Sequence, residues 1–154
     1  MCFGGYVNGT RVNELLKFEI VNGSNIEVNL MAGGEDQAGP SCRAGASLVS
    51  QDSSICMFGG QEDDNKKMND VWKFDINASS WSKVEIDSES FCPVARSGHS
   101  AVMFGSKMYI FGGIFELTHE LNDLCCFDFE TNQFKKIGDD DCTADDGTGD
   151  MGQG

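Results

Sequence analysis

The chain has 154 residues, with 25 acidic side chains against 11 basic ones and a formal net charge of −14 at pH 7. That length suffices for one domain with a sizeable core, and the charge repels phosphate backbones, so no nucleic-acid partner is expected. No apolar run reaches membrane-spanning length and no basic-then-apolar leader opens the sequence, so no membrane partner is expected and the expected compartment is cytoplasmic.

The first element is an apolar strand, Met1-Cys2-Phe3, ending in Gly4-Gly5. The same unit returns as Cys56-Met57-Phe58-Gly59-Gly60 and as Tyr109-Ile110-Phe111-Gly112-Gly113, the second glycines lying 55 and 53 residues apart. A fixed period near 50 marks a repeat architecture, one supersecondary unit copied and stacked. After each diglycine comes a polar loop of varying sequence: 6–12, 61–68 or 114–121. A second shared block follows. Asn13-Glu14-Leu15-Leu16-Lys17-Phe18 aligns with Asn69-Asp70-Val71-Trp72-Lys73-Phe74 and with Asn122-Asp123-Leu124-Cys125-Cys126-Phe127. In these blocks Leu16/Phe18/Ile20, Trp72/Phe74/Ile76 and Cys125/Phe127/Phe129 point one way, and mostly polar residues point the other. That is period two, hence a strand with one buried face.

A short turn leads to a third strand that begins on a large apolar residue: Ile26, Trp81 or Phe134. Next comes a lead-in to a fourth, Pro40-Ser41-Cys42-Arg43-Ala44-Gly45-Ala46-Ser47, matched by Pro93-Val94-Ala95-Arg96-Ser97-Gly98-His99-Ser100. Proline, arginine, glycine and serine keep their offsets. Small apolar strands follow around Leu48-Val49 and Ala101-Val102. Three N-x-S/T sequons, at Asn8, Asn22 and Asn77, read as turns. Seven cysteines form an odd set without a CxxC pair, several of them at apolar strand positions, so neither a disulfide nor a zinc framework is expected.

The unit of four short strands resembles the kelch repeat, one blade of a β-propeller. The kelch pattern is an apolar strand ending in Gly-Gly, an Asn-Asp-aromatic strand, a later Trp and an Arg-x-Gly-His-Ser lead-in. Phe134 departs from it by replacing the Trp, and Ala46 by replacing the His. The resemblance implies an all-β fold of kelch-type blades with four antiparallel strands each. Met1 stands at a position inside a strand, and the innermost strand of the first repeat is missing. The expected layout is therefore an incomplete ring: a partial blade over 1–30, a blade over 31–84 and a blade over 85–137. Propellers close with 4–8 blades, so the remaining blades are expected in cis, in a longer protein, or from another copy. Residues 138–154 are rich in Asp and Gly and read as an acidic disordered tail; an EF-hand alignment fails because Cys142 and Ala144 would fall on ligand positions.

Gly4, Gly5, Gly59, Gly60, Gly112 and Gly113 are read as structural, at a bend where blades crowd. Trp72, Trp81 and His99 are read as structural motif residues. No Ser/His/Asp, Cys/His or H-E-x-x-H arrangement occurs, so no catalytic residues, metal or cofactor are assigned and the chain is not expected to be an enzyme. Similarity to kelch adaptors makes Arg43 and Arg96, just before the innermost strands, candidates for the partner-binding face; bonding to backbone carbonyls inside the fold is the other reading. Phe115, in the third variable loop, is a candidate apolar anchor. The function these features imply is a non-catalytic protein-protein interaction module, scaffold or adaptor, of the non-BTB kelch type. The alternative is part of a kelch-propeller enzyme such as a galactose-oxidase-like oxidase, which needs His, Tyr and Cys ligands; Tyr6, Tyr109, His99 and His119 lie mostly on structural positions.

Overall fold

The structure, a computed structural model, describes residues 1–34 and 38–138. The first repeat supplies β1 (Cys2–Phe3), β2 (Tyr6–Val7), β3 (Thr10–Arg11), β4 (Leu15–Val21) and β5 (Asn25–Ala32). The second supplies β6 (Ser47–Gln51), β7 (Ser54–Phe58), β8 (Val71–Asp75) and β9 (Ser80–Lys83), with a 3-10 turn over Asp63–Asn65. The third supplies β10 (Ser100–Phe104), β11 (Lys107–Phe111), β12 (Ile114–Phe115), β13 (His119–Glu120), β14 (Leu124–Asp128) and β15 (Gln133–Ile137). The second and third repeats each form a four-stranded antiparallel sheet, in the orders β6-β7-β8-β9 and β10-β11-β14-β15. The first forms a three-stranded sheet, β1-β4-β5. The sheets are one partial and two full blades of the kind the resemblance implies, and among the described residues they do not close a ring.

Two seams hold the sheets together. Phe3, Leu15 and Ala32 of the first sheet pack on Ile55, Met57 and Phe74 of the second. Val49, Cys56, Phe58 and Val71 of the second pack on Met108, Ile110, Cys125, Phe127 and Phe134 of the third. The middle sheet is thus covered on both faces. Every residue of β7 is buried, which is why Ser-Ile-Cys-Met-Phe reads as a continuous run rather than an alternation. In the two full blades the large residue near the start of the outermost strand spans a seam, whereas Ile26 of the first is exposed. Trp81 meets Phe3 at 5.5 Å and Phe74 at 5.1 Å between ring centroids. Phe134 likewise meets Phe58 at 5.6 Å and Phe127 at 4.7 Å. Phe134 therefore does the same packing as the tryptophan it replaces, with a smaller ring.

The three matching strands are present, but the expectation of one buried face does not hold: β8 buries Val71 against the third sheet and Phe74 against the first, β14 buries Cys125, Cys126 and Phe127 in succession, and in β4 only Leu15 is buried. Phe74 and Phe127 are buried, whereas Phe18 at the matching position is exposed and Ile20 is 77% exposed. No sheet stacks on that side of the first blade among the described residues. The far side of the third blade is likewise open, with Val102, Phe104 and Phe111 in solvent. β5 runs to Ala32, two residues beyond the boundary read at residue 30. The acidic tail at 139–154 lies outside the described residues.

The diglycine bend is as crowded as its sequence suggests. Gly4 has φ +64°, and a Cβ there would lie 2.1 Å from the carbonyl oxygen of Arg43. Gly59 has φ +66°, with a Cβ 2.7 Å from the Arg96 oxygen and 2.9 Å from the His99 ring. In both cases the neighbour is the lead-in segment of the next blade, so the bend is where successive blades touch.

Candidate partner-binding face

The lead-in arginines tie each blade to the one before it and brace their own. Arg43 donates its backbone N–H to the Val12 carbonyl and accepts from the Gly5 N–H, both in the first repeat. Its side chain turns into the second blade, bonding the Asp70 carboxylate at 2.6 and 3.1 Å and the Gly59 carbonyl at 3.1 Å. Arg96 repeats every part of this. Its main chain bonds Met68 and Gly60 of the second blade. Its guanidinium bonds Asp123 at 2.7 and 2.9 Å and the Gly112 carbonyl at 3.0 Å in the third. Planar, two-pronged donation suits a carboxylate placed this way. Asp123 is held below its ordinary carboxylate range, first by the Arg96 hydrogen bond. With 1% and 0% of their surface exposed, Arg43 and Arg96 are buried, which supports the reading of them as bonded inside the fold. Trp72 completes the second cluster, donating its indole N–H to Asp70 at 2.7 Å. The sequence offers a signal for these acids: Asp70 and Asp123 each lie 27 residues after their arginine, and Glu14 stands at the same block position in the first repeat.

His99 joins the innermost strands of the two full blades. Its Nε2 lies 2.8 Å from the Ser47 hydroxyl, and its ring meets Phe58 edge-on at 5.2 Å. Burial, and secondarily the Arg96 charge, push its pKa down to about 4, so the ring is neutral near pH 7. Ala46 holds this position in the second blade. An imidazole there would have no preceding innermost strand to reach among the described residues. Burial also raises the Cys56 and Cys125 thiols to about 11, which makes them inert packing groups.

The three variable loops meet at one end of the stack. Arg11 of the first pairs with Asp63 of the second at 2.7 Å. Ala44 bridges to Gln61 and Ser97 to Ile114, which ties the second and third loops to the lead-in segments between them. β2 pairs with β3 and β12 with β13 as two short hairpins; period-two reading missed these because each arm has only two residues. The resulting face carries Tyr6, Val7, Ile114 and Leu117 in solvent, the last 74% exposed. Phe115 is half-buried and packs edge-on against His119 at 6.2 Å, so it supports the hairpin beside the more exposed Ile114 and Leu117. Arg11 lies over the Tyr6 ring at 4.7 Å. The second and third variable loops also carry the acids Glu62, Asp63, Asp64, Glu116 and Glu120. Ser41 donates to Glu62, and this bond is the first cause of its lowered pKa.

No three His, Cys, Asp or Glu side chains group to hold a metal ion among the described residues. Tyr6, Tyr109, His99 and His119 fall on separate elements. A cleft of about 660 Å³ opens where the β6–β7 and β10–β11 turns meet. Its side chains include Ser50, Gln51, Asp52, Lys73, Ser106 and Glu130. No helix is long and apolar enough to cross a membrane among the described residues.

Comparison with known proteins agrees with this architecture. The family model described as the KLHDC2/KLHL20/DRC7 Kelch-repeats domain matches residues 1–144, seven residues past the boundary read at 137. The chain is similar to Kelch domain-containing protein 3 of Bos taurus, 33% identical over 123 residues that cover 75% of this chain and 32% of that protein. It is similar to tRNA wybutosine-synthesizing protein 2/3/4 of Arabidopsis thaliana, 34% identical over 113 residues, covering 73% of this chain and 11% of the relative. It is also similar to Tip elongation aberrant protein 1 of Schizosaccharomyces pombe, 38% identical over 95 residues, covering 58% and 8%. The chain spans about a third or less of the length of these relatives.

Proposed function

The chain belongs to the kelch-repeat family, and from that premise we propose that it is a non-catalytic protein-interaction module that acts in the cytoplasm as a scaffold or adaptor. It forms part of a larger propeller, whose further blades come in cis or from another copy. The relatives' names range from a kelch-domain protein to a tRNA wybutosine-synthesizing protein, so the repeat accompanies more than one activity. Function has to be argued from the site rather than the fold. One observation carries the reading: the three variable loops form a continuous end face, joined by the Arg11–Asp63 pair and the lead-in bridges, with Tyr6, Val7, Ile114 and Leu117 in solvent on loops that also carry acidic residues. A rigid β scaffold that displays loops of this composition suits recognition. Apolar anchors within a charged rim are the usual anatomy of an interface.

The open outer faces of the first and third blades support the larger propeller. A free stack would leave Phe18, Ile20, Val102 and Phe104 wet, the liability of a repeat array without caps. The test is comparative capture. The double variant Tyr6→Ser/Leu117→Ser is expected to lose the protein partners that the wild type retains from a cytoplasmic extract, with no change in melting temperature. Identical partner sets at equal protein load would refute the loop face as the binding surface.

A further inference from the structure

The cleft between the two full blades lies apart from the loop face and carries a charge pattern of its own. The diglycines end their strands at the loop face, so the β6–β7, β10–β11 and β14–β15 turns lie at the opposite end of the stack. There Ser50, Gln51 and Asp52 of the second blade and Met103, Phe129 and Glu130 of the third line about 660 Å³, a size within the range of small-molecule sites. Lys73 reaches into this lining from β8. Its amine lies 3.4 Å from the Gln51 amide oxygen and 5.8 Å from the centroid of the Phe129 ring, so it bridges one blade to the next. Lys17 fills the same block position in the first repeat, and Cys126 in the third. Lys17 is neutralised by Glu19, two residues later, at 2.7 Å. The matching acid of the second repeat, Asp75, instead accepts the backbone N–H groups of Asn77 and Ala78 at 2.8 and 2.9 Å. Lys107, at the same end of the stack, is taken by Asp128 at 3.2 Å. Lys73 therefore stands in the cleft with no carboxylate paired to it among the described residues, and Asp52 and Glu130, on the turns beside it, have no basic partner among them either.

We propose that this cleft is a small-molecule site that binds a free amino acid with a large apolar side chain, held as its zwitterion. The ligand's carboxylate bonds to Lys73, with the Gln51 amide and the Ser50 hydroxyl as further donors. Its ammonium group meets Asp52 and Glu130. Its side chain packs on Met103 and Phe129. The charges select the class. One cation between two acids rejects a polyanion such as a nucleotide, and the net charge of −14 repels it further. A purely cationic ligand would leave Lys73 unpaired and repelled. A molecule that carries both charges a few bonds apart satisfies all three groups at once. The site goes beyond the loop-face reading and shares no residue with it.

The probe is L-phenylalanine, titrated by calorimetry into the full chain. Saturable binding is expected. Phenylalaninamide, which lacks the carboxylate, and N-acetylphenylalanine, which lacks the ammonium, are each expected to bind at least about tenfold more weakly, since either change leaves a charge of the site unpaired. Lys73→Gln is expected to weaken phenylalanine to the same degree at an unchanged melting temperature, because the side chain is only partly buried. Lys17→Gln, its counterpart already paired with Glu19, is the control and is expected to bind as wild type does. Asp52→Asn/Glu130→Gln keeps the turn, because Asn tolerates the φ of +50° at residue 52. It is expected to weaken phenylalanine and to abolish the preference over N-acetylphenylalanine, an outcome that mere loss of structure would not give. Absence of saturable binding to a chain that melts normally overturns the proposal. So does equal binding of either blocked analogue to the wild type, or full binding by Lys73→Gln.

Discussion

Arg96→Ala decides whether the lead-in arginines hold the fold or serve a partner. The wild-type side chain has 0% of its surface exposed. It donates to Val94 at 3.1 Å, to Gly112 at 3.0 Å and to both Asp123 oxygens at 2.7 and 2.9 Å. Truncation leaves two carbonyls short of a donor and a carboxylate short of its counter-charge. Removing one partner of a buried pair costs about 3–5 kcal/mol. The Asp123 side chain keeps 20% exposure, so water replaces some of the lost bonding and the low end of that range applies, about 3 kcal/mol. At this chain length that corresponds to a melting temperature lower by about 10 °C, read by calorimetry or by tryptophan fluorescence. Arg96→Lys keeps the charge without the fork and is expected to fall between. The pH dependence has a sign. Asp123 titrates low in the fold, so its stabilisation is present above the ordinary carboxylate pKa and is lost as pH falls through the depressed one. The gap between wild type and Arg96→Ala should therefore narrow as the solution is acidified below the ordinary carboxylate range. A variant that melts within about 2 °C of wild type while losing partner binding would refute the structural assignment and return the guanidinium to recognition.

Phe74→Ala is expected to cost about 3–5 kcal/mol, while Phe18→Ala at the matching position costs under about 1 kcal/mol because its ring is in solvent; equal losses in denaturant titrations would mean that the first blade is covered. His99 is held near pKa 4 by burial, so the unfolded chain protonates first and stability falls as pH drops from about 6.5. By pH 5 the loss attributable to this ring is about 2 kcal/mol. His99→Gln should flatten the stability profile between pH 6.5 and 5, and an unchanged slope there would contradict a neutral buried ring. Ile20→Lys/Phe104→Lys should reduce binding of an apolar dye and self-association, both outer faces being open; scattering and dye signals equal to wild type would show that those faces are not what associates.

The candidate site was only partly legible. The arginines stand out because their offsets repeat, and their acids sit at an equally constant spacing from them. Nothing local distinguishes an arginine turned inward from one turned outward, because that depends on where Asp70 and Asp123 arrive through sheet pairing. The recognition loops could be marked as variable segments. That Ile114 and Leu117 would be more exposed than Phe115 depends on a two-residue hairpin and a ring contact with His119, below the resolution of any periodicity.

Sequence alone determined the repeat, its diglycine bends and the matching strands β4, β8 and β14. These follow from local chemistry copied at a near-constant period: glycine where φ is positive, apolar residues every second position, proline and arginine at constant offsets. Only the tertiary structure decided which copies are buried. Phe18, Phe74 and Phe127 occupy the same place in the same pattern, yet Phe18 is in solvent and the other two are closed in. Burial belongs to the neighbour as much as to the residue. A strand carries its own alternation, but the sheet that covers it comes from some 50 residues away in the chain or from beyond it.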